Sequence, residues 1–300
     1  MRLKQLIDRA TEQHNITVAV AAANDLEVLE AVVSAVELNM ANFLLFGDEE
    51  EIINVLHTIS PNSAKYDAIK IVHSPSVEEA AKSAVQAVHN LEASVLMKGN
   101  LPTATILKAV LNKEYGLRTN SVLSHVAVFE IPGYDRLIFV TDAAMNIAPD
   151  LMQKSQIIQN TVEVVRSLGV NNPKVACLAA VETVNTAMTA TLDAAALTQM
   201  NLRGQIKNCI VDGPLSLDLS ISTLAAKHKG IKSTVAGEAD VLLVPSIETG
   251  NVLYKSLIYF TGAKVGGMIA GATTPIVLTS RADTAESKLL SLALAICTAS

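Results

Sequence analysis

Short β-branched runs alternate along this chain with longer stretches whose apolar residues recur every three or four positions. Ile16–Ala22, Asn42–Gly47, Ala68–His73 and Ser94–Lys98 are nearly continuous apolar runs of strand length, the pattern of strands covered on both faces. Between them Leu26–Leu38, Glu49–Ile59 and Val77–Leu91 carry helical spacing. In the third, Val77, Ala80, Ala81, Ala84, Val88 and Leu91 share one face. Ser76 followed by Glu79 marks its start, since each side chain can accept from the other's free backbone N–H. Strands alternating with helices of this length predict βαβ units around a mostly parallel sheet.

The alternation breaks once. Val122–Ile131 and Arg136–Thr141 flank the turn signal IPGYD, which predicts an antiparallel hairpin. It resumes with a helix over Asp150–Leu168, a strand over Lys174–Ala180 and a helix over Thr183–Met200. Strands Asn208–Asp212 and Asp240–Pro245 follow, with a helix near Leu217–Lys227 between them. Helix Val252–Phe260, strand Ile276–Thr279 and a helix over Thr284–Thr298 complete the chain. No repeat or disordered linker interrupts it, so two α/β domains with a ligand cleft at their interface are expected.

Composition narrows the function. At 300 residues, 50% apolar and 17% charged, the chain has ample material for a folded core. A net charge of −6 removes the electrostatic footprint of a nucleic-acid binder, and with five Tyr, five Phe and no Trp, base-stacking platforms are poorly supplied. The opening MRLKQLIDRATEQHN lacks the apolar core of a signal peptide, and no apolar run approaches membrane-spanning length. Cys177, Cys209 and Cys297 are far apart in apolar runs, without metal-ligand spacing. They read as buried thiols of a reducing compartment, and a cytoplasmic location is expected.

Nucleotide-loop, metalloprotease and nucleophile-elbow motifs are absent. His125 alone among six histidines falls inside an expected strand and reads as a hydrogen-bonded core or cleft-edge residue. Four strands instead end in segments rich in hydroxyl, amide and cationic groups: SVLMKGNLPTAT, NCIVDGPLSLDL, VLLVPSIETGNVLYKSL and PIVLTSRADTAES. Parallel sheets bind ligands beyond such ends; any single one is better explained by a helix cap, but four so loaded are more than turns require. In the last, Ser280 and Arg281 precede a helix whose expected cap is Asp283, with Glu286 at capping-box spacing. Arg281 there either grips a phosphate with two hydrogen bonds or pairs with Asp283 or Glu286 at the surface.

The same segments, with VTDAAMNIAPD (140–150), DGPLSLDLSIS (212–222) and GAKVGGMIAGATTPIVLTSRADTAESK (262–288), resemble the phosphate acetyl/butyryl-transferase family end to end, nearest its butyryltransferase branch. The resemblance implies a two-domain α/β/α fold with mostly parallel sheets, of isocitrate/isopropylmalate dehydrogenase-like architecture. Its first domain would be 1–141 plus 269–300, and its second, 142–268, would supply a dimer interface. It implies the reaction acyl-CoA plus phosphate to acyl phosphate plus CoA, with CoA as a substrate and no metal or redox cofactor, in a cleft between the domains. Carried over, Ser280 and Arg281 are catalytic, while Lys98, Gly99, Thr105, Asn251, Tyr254 and Lys255 contact phosphate, acyl group or CoA. Acetyl members have Asp seven residues after the Ser of the Ser-Arg pair, where this chain has Ser287. Glu286 or Asp283 would then be the thiol's base, or the thiol pKa would be lowered near Arg281 and no base needed.

Two other classes compete. A metal- and NAD-dependent hydroxyacid dehydrogenase would need clustered carboxylates, for which Asp212 and Asp218 in a Pro-containing loop are poor candidates. A non-catalytic acyl-CoA binding module would have no need of the Ser280–Arg281 pair.

Overall fold

Each of the first three strands is followed within a few residues by a side chain that starts the next helix. The computed structural model describes residues 2–61, 66–280 and 283–299. The chain opens with α1 (Leu3–Thr11), β1 (Thr17–Ala21), α2 (Leu26–Glu37), β2 (Asn42–Gly47), α3 (Glu49–Ile59), β3 (Ile69–His73), α4 (Val77–His89), β4 (Val95–Lys98) and α5 (Thr103–Val110). Asp25, Asp48 and Ser76 accept from the backbone N–H of Val28, Glu51 and Glu79 at 3.0, 2.9 and 3.2 Å, starting α2, α3 and α4.

The middle of the chain forms β5 (Ser124–Glu130), β6 (Ile138–Thr141), α6 (Leu151–Ser167), β7 (Lys174–Leu178), α7 (Thr189–Leu202), β8 (Ile210–Leu215), α8 (Leu217–Ile221), α9 (Thr223–His228), β9 (Val241–Leu243) and α10 (Ile247–Thr261). The end returns as β10 (Lys264–Ala270), β11 (Ile276–Val277) and α11 (Ala285–Ala299). Two compact units result: Met1–Asn120 with Val265–Ser300, and Ser121–Lys264.

The first unit orders its strands β3-β2-β1-β4-β11-β10, all parallel except β10 against β11. The second orders them β5-β6-β9-β7-β8, with β5 antiparallel to β6 and the rest parallel. The hairpin 122–141, expected with the first domain, falls in the second unit. The cause is pairing: Phe139, Val140 and Thr141 of β6 lie beside Val241, Leu242 and Leu243 of β9.

Other departures from the sequence reading have local causes. The charged amino terminus is a helix because Leu3, Leu6 and Ala10 recur on one buried face and α1 packs on α11. The short α5 was not anticipated. α7 begins six residues later than expected, since Thr191 Oγ1 ties down the preceding turn through the Asn185 N–H and C=O, both at 2.9 Å. The expected helix 217–227 breaks at Ser222, which has an extended backbone and caps α9 through the Ala225 N–H. The glycine-rich GAKVGGMIAG forms β10. A Cβ at Gly266 would lie 2.9 Å from the Leu290 carbonyl oxygen, so glycine lets α11 close onto this strand.

Candidate active site

In the first unit β4 and β11 are parallel neighbours, with Leu96 beside Ile276 and Met97 beside Val277. Lys98 and the 278–280 segment therefore leave the sheet at the same end, the carboxyl end where parallel sheets present ligand groups. Lys98 is buried, and its Nζ donates to the Gly99 carbonyl at 3.1 Å. Gly99 is a backbone requirement: its N–H donates to Ala21 O at 2.8 Å, and a Cβ would lie 2.1 Å from Ala22 O. Thr105 sits half-buried in the first turn of α5.

Ser280 is exposed, and its backbone N–H donates to Asp283 Oδ2 at 2.7 Å while Asp283 N–H returns to Ser280 O at 3.1 Å. Asp283 thus closes a tight turn, and the expected cap is corrected: Thr284 Oγ1 accepts from the Ser287 N–H at 3.2 Å and starts α11. The buried Lys288 ammonium fastens the same turn by donating to the Asp283 carbonyl. Glu286 is exposed in the first turn of α11. Arg281 lies outside the described residues.

The second unit assembles Asn251, Tyr254 and Lys255 on adjacent positions of α10, spaced i, i+3 and i+4. The Tyr254 ring meets Phe129 and His125 edge to face at 5.3 and 5.9 Å, and Lys255 Nζ stands 5.3 Å from the Tyr254 ring centroid. His125 is accordingly a buried residue of β5 against Tyr254.

Asp142 was given no role in the sequence reading, yet it organises the approach of α10. Its buried carboxylate accepts from the N–H groups of Ala144, Met145 and Asn146 at 2.9, 2.9 and 3.1 Å, and from Asn146 Nδ2 at 2.6 Å. Asn146 Nδ2 also donates to Leu123 O at 2.8 Å. Ile247 N–H reaches Ile147 O at 2.9 Å, joining this loop to the start of α10. A Cβ at Gly250 would lie 2.8 Å from both Ala143 Cα and Asp142 O, so glycine permits the contact. The signal in the sequence was an Asp followed by two alanines, with Asn four residues on.

The remaining candidates are occupied locally. Asp212 Oδ1 accepts from the Gly213 N–H at 2.8 Å, and Asp218 accepts from the Ser216 hydroxyl, which holds its carboxyl below the ordinary range. Among the described residues no group of three His, Cys, Asp or Glu side chains converges as a metal site, and no helix is long and apolar enough to cross a membrane. Burial pushes all three thiols up, Cys209 and Cys297 to about 11, so none supplies a thiolate near neutrality. Separately, a groove of about 880 Å³ opens in the second unit beyond β7 and β9, lined by Leu178, Met188, Leu217, Pro245, Val252 and Leu253 among others.

Comparison with known proteins adds an independent line. A family profile described as phosphate acetyl/butaryl transferase matches residues 68–296. A probable phosphate butyryltransferase of Bacillus subtilis is 57% identical over 99% of this chain and 98% of its own. The crystal structure of a branched-chain phosphotransacylase from Enterococcus faecalis V583 superposes with a TM-score of 0.85 at 38% identity, covering 95% of this chain and 99% of that one. A 4-hydroxythreonine-4-phosphate dehydrogenase from Klebsiella pneumoniae, at 12% identity and a TM-score of 0.56 over 95% of this chain and 100% of its own, shares the fold.

Proposed function

Because the chain belongs to the phosphate acetyl/butyryl transferase family and is a phosphate acyltransferase, we propose that it exchanges phosphate and CoA on a short-chain acyl group, butyryl foremost, by direct transfer in a ternary complex. The observation that carries this reading is the shared carboxyl end of β4 and β11, where Lys98 and Ser280 leave the sheet together. Four-carbon and branched acyl groups in the names of the similar proteins favour a pocket for a chain longer than acetyl. One methylene contributes only about 1–3 kcal/mol to such a choice.

In the proposed reaction a phosphate oxygen attacks the thioester carbonyl, the C–O bond forms, and the carbonyl oxygen takes negative charge. Collapse breaks the C–S bond and CoA leaves as thiolate. Arg281 would neutralise phosphate and oxyanion, and Ser280 would donate a hydrogen bond to them, contributions of about 3–4 kcal/mol per well-placed donor. Lys98, Gly99 and Thr105 would line the phosphate and CoA side, and Asn251, Tyr254 and Lys255 would orient the acyl phosphate. The three inert thiols support transfer without a covalent acyl-cysteine. The Asp283 carboxylate already serves the Ser280 turn, which favours departure of an electrostatically stabilised thiolate over a dedicated base.

The test is release of free thiol from butyryl-CoA and acetyl-CoA, with and without phosphate and with a chelator. Phosphate-dependent, chelator-insensitive release, faster with butyryl-CoA, is expected. Binding of acyl-CoA without release would replace this reading with a non-catalytic module, and chelator-sensitive activity would point to metal chemistry.

A further inference from the structure

Lys288 carries a buried charge that no acid balances. It lies near the start of α11 and is 2% exposed. Its ammonium donates to the Asp283 carbonyl, and among the described residues no carboxylate pairs with it. Lys154, also buried, shows the ordinary solution, an Asp193 carboxylate oxygen at 2.6 Å. Burying a charge is costly unless it is paired. A neutral donor would satisfy one carbonyl as well, so a charge at this place points to a use for it.

The connections of Asp283 indicate that use. Its N–H donates to Ser280 O at 3.1 Å, and its carboxylate accepts from the Ser280 N–H at 2.7 Å. Lys288 takes the carbonyl, so the N–H, the carbonyl and the carboxylate of Asp283 are all engaged. The lysine itself stands on a fixed base. Ser291 Oγ accepts from the Gly267 N–H of β10 at 2.9 Å and donates to Ser287 O at 2.8 Å, docking α11 on the strand. The backbone N–H of Lys288 reaches Thr284 O at 3.0 Å. Through this one side chain the turn that carries Ser280 is tied to a helix seated on the sheet.

We propose that Lys288 is a positioning residue for phosphate: it holds the Asp283 turn in the form that presents Ser280, and its unbalanced charge draws the phosphate anion to that turn. This role rests on the acyltransferase reading of the site. The side chain acts through Asp283 and does not touch the reacting atoms. A buried ammonium is screened far less than a surface one, so its attraction for an anion persists at physiological salt.

Lys288→Met and Lys288→Gln separate the grip from the charge. Methionine fills a similar length with neither donor nor charge, and glutamine keeps a donor alone. Lys288→Met is expected to stay folded, because an apolar side chain replaces a buried charge. It is expected to lose about 10–100-fold in turnover and to show a severalfold higher KM for phosphate, with the KM for butyryl-CoA unchanged. Its Ser280 and Asp283 amides are expected to exchange hydrogen faster than those of the wild type. Lys288→Gln is expected to regain part of the turnover and of the amide protection, while its phosphate KM stays high. Wild-type turnover and phosphate KM in Lys288→Met overturn the proposal. So does a loss shared by melting temperature and butyryl-CoA KM, the mark of a lysine that serves stability alone. Should Lys288→Met not fold, Lys288→Gln decides, and a wild-type phosphate KM in it overturns the role of the charge. A wild-type chain that releases no thiol from either acyl-CoA refutes the acyltransferase reading instead, and the amide exchange of the variants still decides whether Lys288 holds the turn.

Discussion

Ser280 and Ser287 are both serines near the start of α11, and they stand in different surroundings. Ser287 gives its backbone N–H to the Thr284 cap, and its hydroxyl is no base at neutral pH. Ser280 is held open to solvent by the Asp283 turn, directly before Arg281. Arg281→Ala is therefore expected to lower the turnover number by about 10²–10³ with an unchanged circular-dichroism spectrum. Ser287→Ala is expected to stay within threefold of wild type. Steady-state thiol release by the two variants decides: equal losses would move the chemistry away from Arg281. At this scale the sequence was readable in position: Lys98 ends a strand and Ser280 stands just past one, as the apolar runs before them required. It was not readable where a carboxylate chooses between neighbours. Asp283 and Thr284 can both cap a helix, and only the closed turn at Ser280 shows that Asp283 is taken.

Among the elements, α10 depends on a fit between helix and loop. Gly250→Ala should gain about 0.5–1 kcal/mol of helix propensity. Against this, the new Cβ would meet two backbone atoms of residues 142 and 143 at 2.8 Å, and overpacking typically costs about 1–3 kcal/mol. The overpacking term wins. Gly250→Ala is expected to melt below wild type and to raise the KM for phosphate, because the helix carrying Asn251, Tyr254 and Lys255 must lift from the Asp142 loop. Thermal melts with phosphate titrations check both, and a higher melting temperature would mean that the loop yields freely. The βαβ alternation, the hairpin at IPGYD and most helix starts were legible because period and caps are local properties. The start of α10, five residues before the expected Val252, and the strand made of GAKVGGMIAG were not. Both are set by close approaches of distant backbone, which leave only a glycine as their mark.

For the whole molecule, three buried thiols add a pH dependence to stability. Cys209 and Cys297 titrate at about 11 in the folded chain, against 9.0 ordinarily. Between those values the unfolded chain loses protons that the folded chain keeps, so stability falls as pH rises from about 9 towards 11. Below pH 9 these groups are neutral in both states and contribute no slope. The Cys209→Ala/Cys297→Ala double variant is expected to show a shallower decline of melting temperature across that window, and an unchanged slope would assign the alkaline loss to other groups.

The first unit is written in two pieces of chain with the second unit between them. Its β4 has β11 as a neighbour only once residues 276–277 exist, and α1 and α2 gain α11 only from residues 285–299. On the ribosome, then, the order of manufacture and the order of completion differ. The middle of the protein can finish folding while the beginning still waits, with one sheet edge unpaired and one helical layer missing, for the last few dozen residues to emerge from the exit tunnel.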